Sequence, residues 1–162
     1  MYSIRNITQS DNKAIASLIR AVFEEFDIAL PGTVYTDPTT DALFELFQEK
    51  ASAYFIALYE HEIVGGCGLY PTCGLPLGYA ELVKFYIHPN HRGHGLGLQL
   101  MDKVFQAASS LGYTDLYLES FPSLSKAIGL YKRAGFVSID KPLGNSGHFA
   151  CTIFMKKHLD HI

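Results

Sequence analysis

The stretch Glu-Leu-Val-Lys-Phe-Tyr-Ile-His-Pro-Asn-His-Arg-Gly-His-Gly-Leu-Gly occupies residues 81–97 and guides the interpretation of the whole chain. Its first part, Glu81–Ile87, has the apolar and aromatic composition of a strand. A turn containing Gly93, Gly95 and Gly97 follows, and apolar residues then recur at helical spacing. Glycine permits positive φ and close approach of a ligand, while the first N–H groups of a helix are unpaired and lie at its positive end. This strand–turn–helix unit therefore predicts an anion site suited to a phosphate group.

Two common nucleotide-binding patterns do not match this turn. The Rossmann pattern has Gly-x-Gly-x-x-Gly early in the chain and an acidic residue about 20 positions later. Here the spacing is Gly-x-Gly-x-Gly, and the turn lies past the middle of the chain. The Walker pattern ends in Gly-Lys-Ser or Gly-Lys-Thr, which this turn lacks. Neither pattern therefore accounts for the predicted phosphate site.

The residues on either side of this unit predict the element order β-α-α-β-β-β-α-β-α-β-β. In chain order, the predicted elements are strand Ile4–Ile7, helix Asp11–Phe26, a helix opened by Asp37 and Pro38, strands Ala53–Tyr59, Ile63–Tyr70 and Glu81–Ile87, the helix after the glycine turn, strand Asp115–Glu119, helix Leu124–Arg133, and strands Phe136–Ile139 and Phe149–Met155. A hairpin combined with βαβ units indicates an α+β fold with a mixed sheet. No linker or repeat interrupts the pattern, so we expect one domain over residues 1–162.

Composition limits the classes of function. The formal net charge of −3 provides no basic field to hold a nucleic acid, and no apolar run reaches the roughly 18 residues that a membrane span needs. The first residues are polar where a signal peptide would be apolar. Three cysteines without a Cys-x-x-Cys pair favour reduced thiols over a disulfide framework. We therefore expect a soluble cytoplasmic protein with no nucleic-acid or membrane partner.

Three segments together resemble the GNAT superfamily of N-acetyltransferases. Arg92-x-x-Gly95-x-Gly97 is similar to the family's Q/R-x-x-G-x-G/A pyrophosphate loop. Residues 130–136, Leu-Tyr-Lys-Arg-Ala-Gly-Phe, are similar to its L-Y-x-x-x-G-F segment, and residues 83–89 are similar to its fourth strand. The resemblance implies a mixed, mostly antiparallel sheet of about six or seven strands with helices on both faces.

The resemblance also implies acetyl-CoA as co-substrate and no metal cofactor. The pyrophosphate is expected to lie on the backbone amides of the loop, which are those of Arg92, Gly93, His94, Gly95, Leu96 and Gly97. The pantetheine arm is expected to pair with the strand backbone at Phe85, Tyr86 and Ile87, where an amide would polarise the thioester carbonyl. Many relatives carry an asparagine where this chain has Leu124, so Ser123, Ser125 or water is expected to supply that contact.

Acetyl transfer to an amine requires two proton transfers. An alkylamine with a pKa of about 10.4 is mostly protonated at pH 7 and must lose a proton before it attacks, while the departing thiolate gains one. The resemblance implies Tyr131 as the general acid, since the family often places a tyrosine beside the sulfur. It implies Glu81 as the base, directly or through water, because histone-acetylating relatives carry a glutamate at this distance from the loop. Period-two alternation predicts that Glu81 shares a strand face with Val83, Phe85 and Ile87.

Each role has a structural alternative. Tyr131 would otherwise be an aromatic residue packed under the sheet, and Glu81 an edge carboxylate or a salt-bridge partner. A different class of function also stays open, a catalytically inactive acyl-CoA-binding or regulatory module, which needs the loop but neither of these side chains. Small-molecule amines, polyamines, peptide termini and lysines all stay open as acceptors. The oligomeric state is equally open, with a homodimer as one option.

Three histidines in the loop have the spacing of metal ligands. His88, His91 and His94 would share one side of a helix, but the neighbouring proline and glycines place them in a loop. No carboxylate or cysteine lies nearby in sequence to complete a site. Solvated histidines near phosphate are therefore the preferred interpretation.

The acceptor side is predicted less directly. An acidic group at the end of the first helix either faces a cationic acceptor or forms a solvated surface, and it consists of Glu24, Glu25 and Asp27. Loop residues expected to border the acceptor are Tyr35, Tyr70, Tyr79, Ser146 and His148.

Overall fold

The computed structural model describes residues 1–160. Within this range the chain forms seven strands and four α-helices, which are β1 (Tyr2–Asn6), α1 (Asn12–Glu25), α2 (Leu43–Leu46), β2 (Ala53–Tyr59), β3 (Glu62–Tyr70), β4 (Tyr79–Ile87), α3 (Leu96–Ser110), β5 (Asp115–Ser120), α4 (Ser125–Arg133), β6 (Val137–Ile139) and β7 (Ile153–His158). Short 3₁₀ helices precede α1 and α2 and follow β4. Among these residues, no helix combines the length and the apolar character that crossing a membrane requires.

The predicted order of elements is confirmed, but the predicted start of the last strand is wrong. β7 begins at Ile153, whereas the composition of the sequence places its start at Phe149. The Phe149 ring instead lies over Gly32, and the Ala150 N–H donates to the Gly32 carbonyl at 3.4 Å. Aromatic and apolar residues favour any half-buried surface. Here that surface is a contact between two loops.

The seven strands form one sheet in the order β1-β2-β3-β4-β5-β7-β6. All neighbouring strands are antiparallel except β4 and β5, which are parallel. The parallel pairing extends only from Tyr79–Glu81 on β4 to Asp115–Tyr117 on β5. Beyond these residues the two strands separate, which opens the middle of the sheet.

A β-bulge in β4 lies where the strands separate. The register between β3 and β4 shifts between Gly66 and Gly68, and Lys84 has a left-handed backbone with φ of 52°. The Tyr54 hydroxyl donates to the Lys84 carbonyl at 2.7 Å. The Tyr54 ring crosses β3 over both glycines, since a Cβ atom at either would come within 2.5 Å of the tyrosine side chain. Tyr54 and the two glycines therefore hold the bulge in place.

The bulge corrects the prediction that Glu81, Val83, Phe85 and Ile87 share one face. One extra residue in a strand moves all later side chains to the opposite face. Val83 accordingly packs with the core on the α1 side, whereas Phe85 and Ile87 pack with the core on the α3 side. Glu81 therefore lies on the same face as Val83 but opposite Phe85 and Ile87.

Helices cover both faces of the sheet. On one face, Leu100 and Val104 of α3 and Tyr131 of α4 pack with apolar residues of β3, β4 and β5. On the other face, Ile19 and Phe23 of α1 pack with residues of β2 and α2. Full burial of such side chains contributes about 1.5–3 kcal/mol each. The predicted α+β fold, with a mixed and mostly antiparallel sheet, is confirmed.

Candidate active site

The glycine turn before α3 leaves open space above its backbone. Gly93 and Gly95 have φ of 80° and 79°, and a Cβ atom built on either meets no atom within 4 Å. α3 begins at Leu96, so its unpaired N–H groups lie at this turn. Gly97 serves a different purpose, because a Cβ atom there would lie 2.7 Å from Leu130 of α4. The turn therefore presents backbone amides to an open space, while Gly97 allows α3 and α4 to pack closely.

A cavity of about 540 Å³ extends from this turn between β4 and α4. Nine of the ten residues predicted to contact the cofactor line it, namely Phe85, Tyr86, Ile87, Arg92, Gly93, Gly95, Leu96, Gly97 and Ser125. The tenth, His94, lies outside the lining, with its ring 6.1 Å from that of Tyr2. We call this cavity the cofactor groove.

One wall of the cofactor groove is the edge of β4 that β5 leaves unpaired. The parallel pairing stops at Glu81, and the bulge at Lys84 follows. Backbone groups on this edge between Leu82 and Ile87 therefore have no strand partner on β5. An extended ligand can hydrogen-bond to such an edge as an added strand would.

The Arg92 side chain connects the turn to the end of α1. Its guanidinium donates to both carboxylate oxygens of Glu25 at 2.7 and 2.9 Å, and its Nε donates to the Ile87 carbonyl at 2.9 Å. Glu24 accepts a hydrogen bond from the Tyr35 hydroxyl at 2.9 Å. Both carboxylates are therefore already hydrogen-bonded within the chain. The structure gives no support to the alternative in which Glu24 and Glu25 face a cationic acceptor.

A second, smaller cavity of about 50 Å³ adjoins the cofactor groove. The two cavities share Phe85, Tyr86 and Leu124 in their walls. Glu81 from β4 and Tyr131 from α4 both line the smaller one, which we call the acceptor cavity. The structure thus brings together the two residues for which the sequence predicts catalytic roles.

Glu81 is almost completely buried, with 4% of its surface exposed. The Thr72 hydroxyl donates to its carboxyl group at 2.6 Å. Burial raises the pKa of Glu81 to about 7, and the nearby Glu119 carboxylate adds to this rise. The Thr72 hydrogen bond, His148 and Lys84 act in the opposite direction on the pKa. A carboxyl group with a pKa near neutrality is suited to accept a proton at pH 7.

Tyr131 is also buried, with its ring between those of Phe85 and Phe136. Burial raises the pKa of its phenol above the ordinary value, so the group stays protonated at neutral pH. Within residues 1–160, its hydroxyl forms none of the side-chain hydrogen bonds. The wall of the acceptor cavity therefore carries a neutral phenol that can donate a hydrogen bond.

Three charged or hydroxyl-bearing residues of the acceptor cavity were not predicted from the sequence. They are Lys84, Glu119 and Ser120. A lysine in the middle of an apolar strand is an unusual feature that could have identified Lys84. Glu119 and Ser120 end β5 on the side where β4 and β5 separate, and ligands in sheets with parallel strands often bind at that end.

The predicted acceptor-side loop residues divide into two groups. His148 lines the acceptor cavity, and its Nε2 lies 3.0 Å from a carboxylate oxygen of Asp37. The Ser146 hydroxyl donates to Glu119 at 2.6 Å. The predicted tyrosines do not line the cavity; for example, Tyr70 packs edge-on against Phe47. For Tyr35, Tyr70 and Tyr79, this cavity therefore gives the expectation no support.

The three loop histidines contact neighbouring side chains and backbone, and Tyr2 packs against both His91 and His94. The His88 ring accepts a hydrogen bond from the Asn90 N–H at 3.1 Å, and the His91 ring lies 3.0 Å from the Tyr2 hydroxyl. In the described part of the chain, no group of three or more His, Cys, Asp or Glu residues is arranged to hold a metal ion.

Comparison with known proteins gives consistent matches along the chain. The family model described as "Acetyltransferase (GNAT) family" matches residues 17–136. The uncharacterized N-acetyltransferase YjgM of Escherichia coli is 38% identical over 157 residues, which cover 96% of this chain and 94% of that protein.

Solved structures show the same fold at lower identity. A GNAT-family acetyltransferase from Staphylococcus aureus superposes with a TM-score of 0.84 at 21% identity, covering 99% of this chain and 100% of the other. The PaiA N-acetyltransferase of Thermoplasma acidophilum, solved in complex with coenzyme A, superposes with a TM-score of 0.76 at 15% identity, covering 98% and 99% of the two chains.

Proposed function

Because the chain belongs to the GNAT family of acetyltransferases, we propose that it transfers the acetyl group of acetyl-CoA directly to a primary amine of a small-molecule or peptide acceptor. The observation that carries this proposal is the junction of the two cavities at Phe85, Tyr86 and Leu124. There the cofactor groove meets the cavity that holds Glu81 and Tyr131. A single domain over residues 1–162 is part of the proposal.

Acetyl-CoA occupies the cofactor groove in this proposal. Its pyrophosphate lies on the loop amides between Arg92 and Gly97, where glycine leaves room and the N-terminus of α3 favours an anion. Its pantetheine arm runs along the unpaired edge of β4 toward the junction. Ser125, at the start of α4, lines the groove and supplies a polar contact in place of the asparagine of other family members. The coenzyme A complex of the Thermoplasma acidophilum structure supports the choice of co-substrate.

The thioester carbonyl is polarised by a backbone N–H of β4 near the bulge. Attack by the amine places a negative charge on the carbonyl oxygen, and a fixed amide donor stabilises this charge. The unpaired edge between Leu82 and Ile87 offers such donors without a strand competing for them. This step requires no particular side chain and no metal ion.

Glu81 accepts the proton of the incoming ammonium group, directly or through a water molecule. Its pKa of about 7 lets a large fraction of the molecules carry the basic carboxylate at neutral pH. Tyr131 donates a proton to the departing thiolate, which has a pKa of about 8.5 in its free form. Burial keeps the phenol protonated until the thiolate forms beside it.

Thiol release from acetyl-CoA in the presence of a panel of primary amines tests this function. The panel contains amino acids, polyamines, peptides with free N-termini and peptides with internal lysines. We expect amine-dependent release with at least one class, together with an acetylated product of the expected mass. Calorimetric binding of acetyl-CoA without release in any class would support the inactive binding module instead.

A further inference from the structure

Lys84 is a largely buried lysine for which residues 1–160 provide no direct partner. Only 8% of its surface is exposed, yet its ammonium group takes part in none of the hydrogen bonds or salt bridges within residues 1–160. Burial lowers the pKa of Lys84, and attraction from Asp37 and Glu81 opposes this effect. A buried charge without a direct partner is costly, and Lys84 also has a left-handed backbone. Such a group is expected where a ligand supplies the missing partner.

Ser120 provides a second donor without a partner. Its side-chain oxygen is fully buried and is the one buried side-chain polar atom in residues 1–160 that lacks a hydrogen bond. The residue ends β5 and lines the same acceptor cavity as Lys84. Most buried hydroxyl groups in folded proteins are hydrogen-bonded. A buried hydroxyl without a hydrogen bond and a largely buried lysine without a direct partner within residues 1–160 therefore line one small cavity.

The carboxylates around the cavity already have partners within the chain. Glu119 accepts hydrogen bonds from the Tyr117 and Ser146 hydroxyls, both at 2.6 Å. Asp37 pairs with His148 at 3.0 Å and also accepts from Thr39. Glu81 accepts from Thr72. Lys84 and Ser120, in contrast, have no acceptor within residues 1–160, and an anionic group of the substrate would supply acceptor oxygens to both.

We propose, building on the function proposed above, that the amine acceptor carries a free carboxylate and is a small amino acid. The carboxylate binds the Lys84 ammonium and the Ser120 hydroxyl, and the amino group points toward Glu81. A volume of about 50 Å³ suits the compact head of an amino acid. Polyamines, protein lysines and peptide N-termini lack a carboxylate next to the reacting amine, so they leave both donors unsatisfied.

The transfer balances with these groups. The nitrogen lone pair forms a bond to the thioester carbonyl carbon, and the carbon–sulfur bond breaks to leave the coenzyme A thiolate. The ammonium nitrogen loses two protons overall. One leaves to solvent through Glu81. The other returns to Tyr131 and replaces the proton that Tyr131 gives to the sulfur. The products are an N-acetylamino acid and coenzyme A.

Matched substrates test the proposal in the unmodified enzyme. Each small amino acid is compared with its amide and with the amine that lacks the carboxyl group, with kcat/KM measured by thiol release. Loss of a hydrogen bond to a buried charged group corresponds to about a tenfold effect or more. We therefore expect kcat/KM for the amino acid to exceed that for its analogues by at least this factor.

Variants locate the effect at the two donors. Lys84→Met keeps the length of the side chain and removes its charge, so it should raise the KM for the amino acid by about tenfold or more and abolish the preference for it. Ser120→Ala should also raise the KM for the amino acid, and it alters the side chain less than Lys84→Met does. Lys103→Met, on the exposed side of α3, is the matched control. It should leave both the KM for the amino acid and the preference for it unchanged.

Two measurements separate this proposal from the function on which it rests. If amines without a carboxylate are acetylated with the same kcat/KM as amino acids, the acetyltransferase function stands and the carboxylate site is refuted. If no amine is acetylated, calorimetry with coenzyme A bound shows whether amino acids bind. Binding that Lys84→Met weakens supports the carboxylate site without catalysis, and absence of binding refutes it. Thermal unfolding and coenzyme A affinity show whether each variant is folded.

Discussion

Replacing Glu81 with glutamine should stabilise the protein at alkaline pH while slowing acetyl transfer. The pKa of this carboxyl group is 4.5 in an unfolded chain and about 7 in the folded protein, mainly because of burial. The folded state therefore favours the protonated form. This contribution to stability is fully present below pH 4.5 and is lost as the pH rises through 7. Glutamine resembles the protonated carboxyl group and does not titrate.

The size of the effect follows from the two pKa values. At about 1.4 kcal/mol per pKa unit, the difference corresponds to about 3 kcal/mol. The Glu81→Gln variant should thus match the unmodified protein near pH 4 and exceed its free energy of unfolding by up to about 3 kcal/mol at pH 9. For a chain of this length, 1 kcal/mol changes the melting temperature by roughly 2–4 °C.

Chemical denaturation and thermal melting between pH 4 and pH 9 measure this difference. The same samples are used to measure kcat/KM as a function of pH. In the unmodified enzyme kcat/KM should rise with an apparent pKa of about 7, and in the variant this rise should be absent. Thr72→Val is the companion variant, because it removes a hydrogen bond that lowers the pKa of Glu81 and should move the rise to higher pH. A stability difference that is constant across the pH range would refute the assignment of a buried, titrating Glu81.

Three further changes test the cofactor groove, the general acid and the bulge. Gly95→Val should weaken coenzyme A binding, measured by calorimetry, about tenfold or more, because valine at φ of 79° is strained and its methyl groups would fill the proposed pyrophosphate position. Unchanged affinity in a folded variant would contradict this. Tyr131→Phe should lower kcat by about 10²–10⁴-fold and leave coenzyme A binding intact, whereas a change of only a few-fold would argue for proton transfer from water. Tyr54→Phe leaves the Lys84 carbonyl without its partner and should cost about 1–3 kcal/mol in urea unfolding; an unaltered midpoint would show that the bulge does not need this hydrogen bond.

The order of helices and strands could be predicted because each element carries its own periodicity. The apolar residues of α3 recur at helical spacing, and the hairpin of β2 and β3 has β-rich runs on both sides of a polar turn. The bulge at Lys84 could not be predicted in this way. It depends on Tyr54, which is thirty residues away in sequence and reaches across β3 only because two glycines make room. Alternation along β4 alone therefore assigned Phe85 and Ile87 to the wrong face.

The candidate site was predictable only in part, for a similar reason. The loop and Tyr131 belong to local motifs, and Glu81 has a fixed distance from the loop, so the resemblance to the family could propose all three from the sequence. Glu81 has one partner in the loop before β4, Thr72, and Glu119 on β5 is a charged neighbour; both affect its pKa only once the chain is folded. The Arg92–Glu25 ion pair joins residues far apart in sequence, and an acidic helix end gives no local sign that it is already paired. Chemistry that depends on burial and on distant partners requires the folded chain.

The passage of Tyr54 over Gly66 and Gly68 has an evolutionary consequence. The bulge requires a long hydrogen-bonding aromatic residue on β2 and side chains no larger than hydrogen at two positions of β3. A larger residue at either glycine position blocks the tyrosine ring, and loss of the tyrosine removes its hydrogen bond to the bulge. The three positions should therefore change together during evolution. Homologous chains with a bulky residue at either glycine position are expected to lack the tyrosine as well. In such chains another group must bind the carbonyl at the bulge, or the gap in the sheet must be opened by different means.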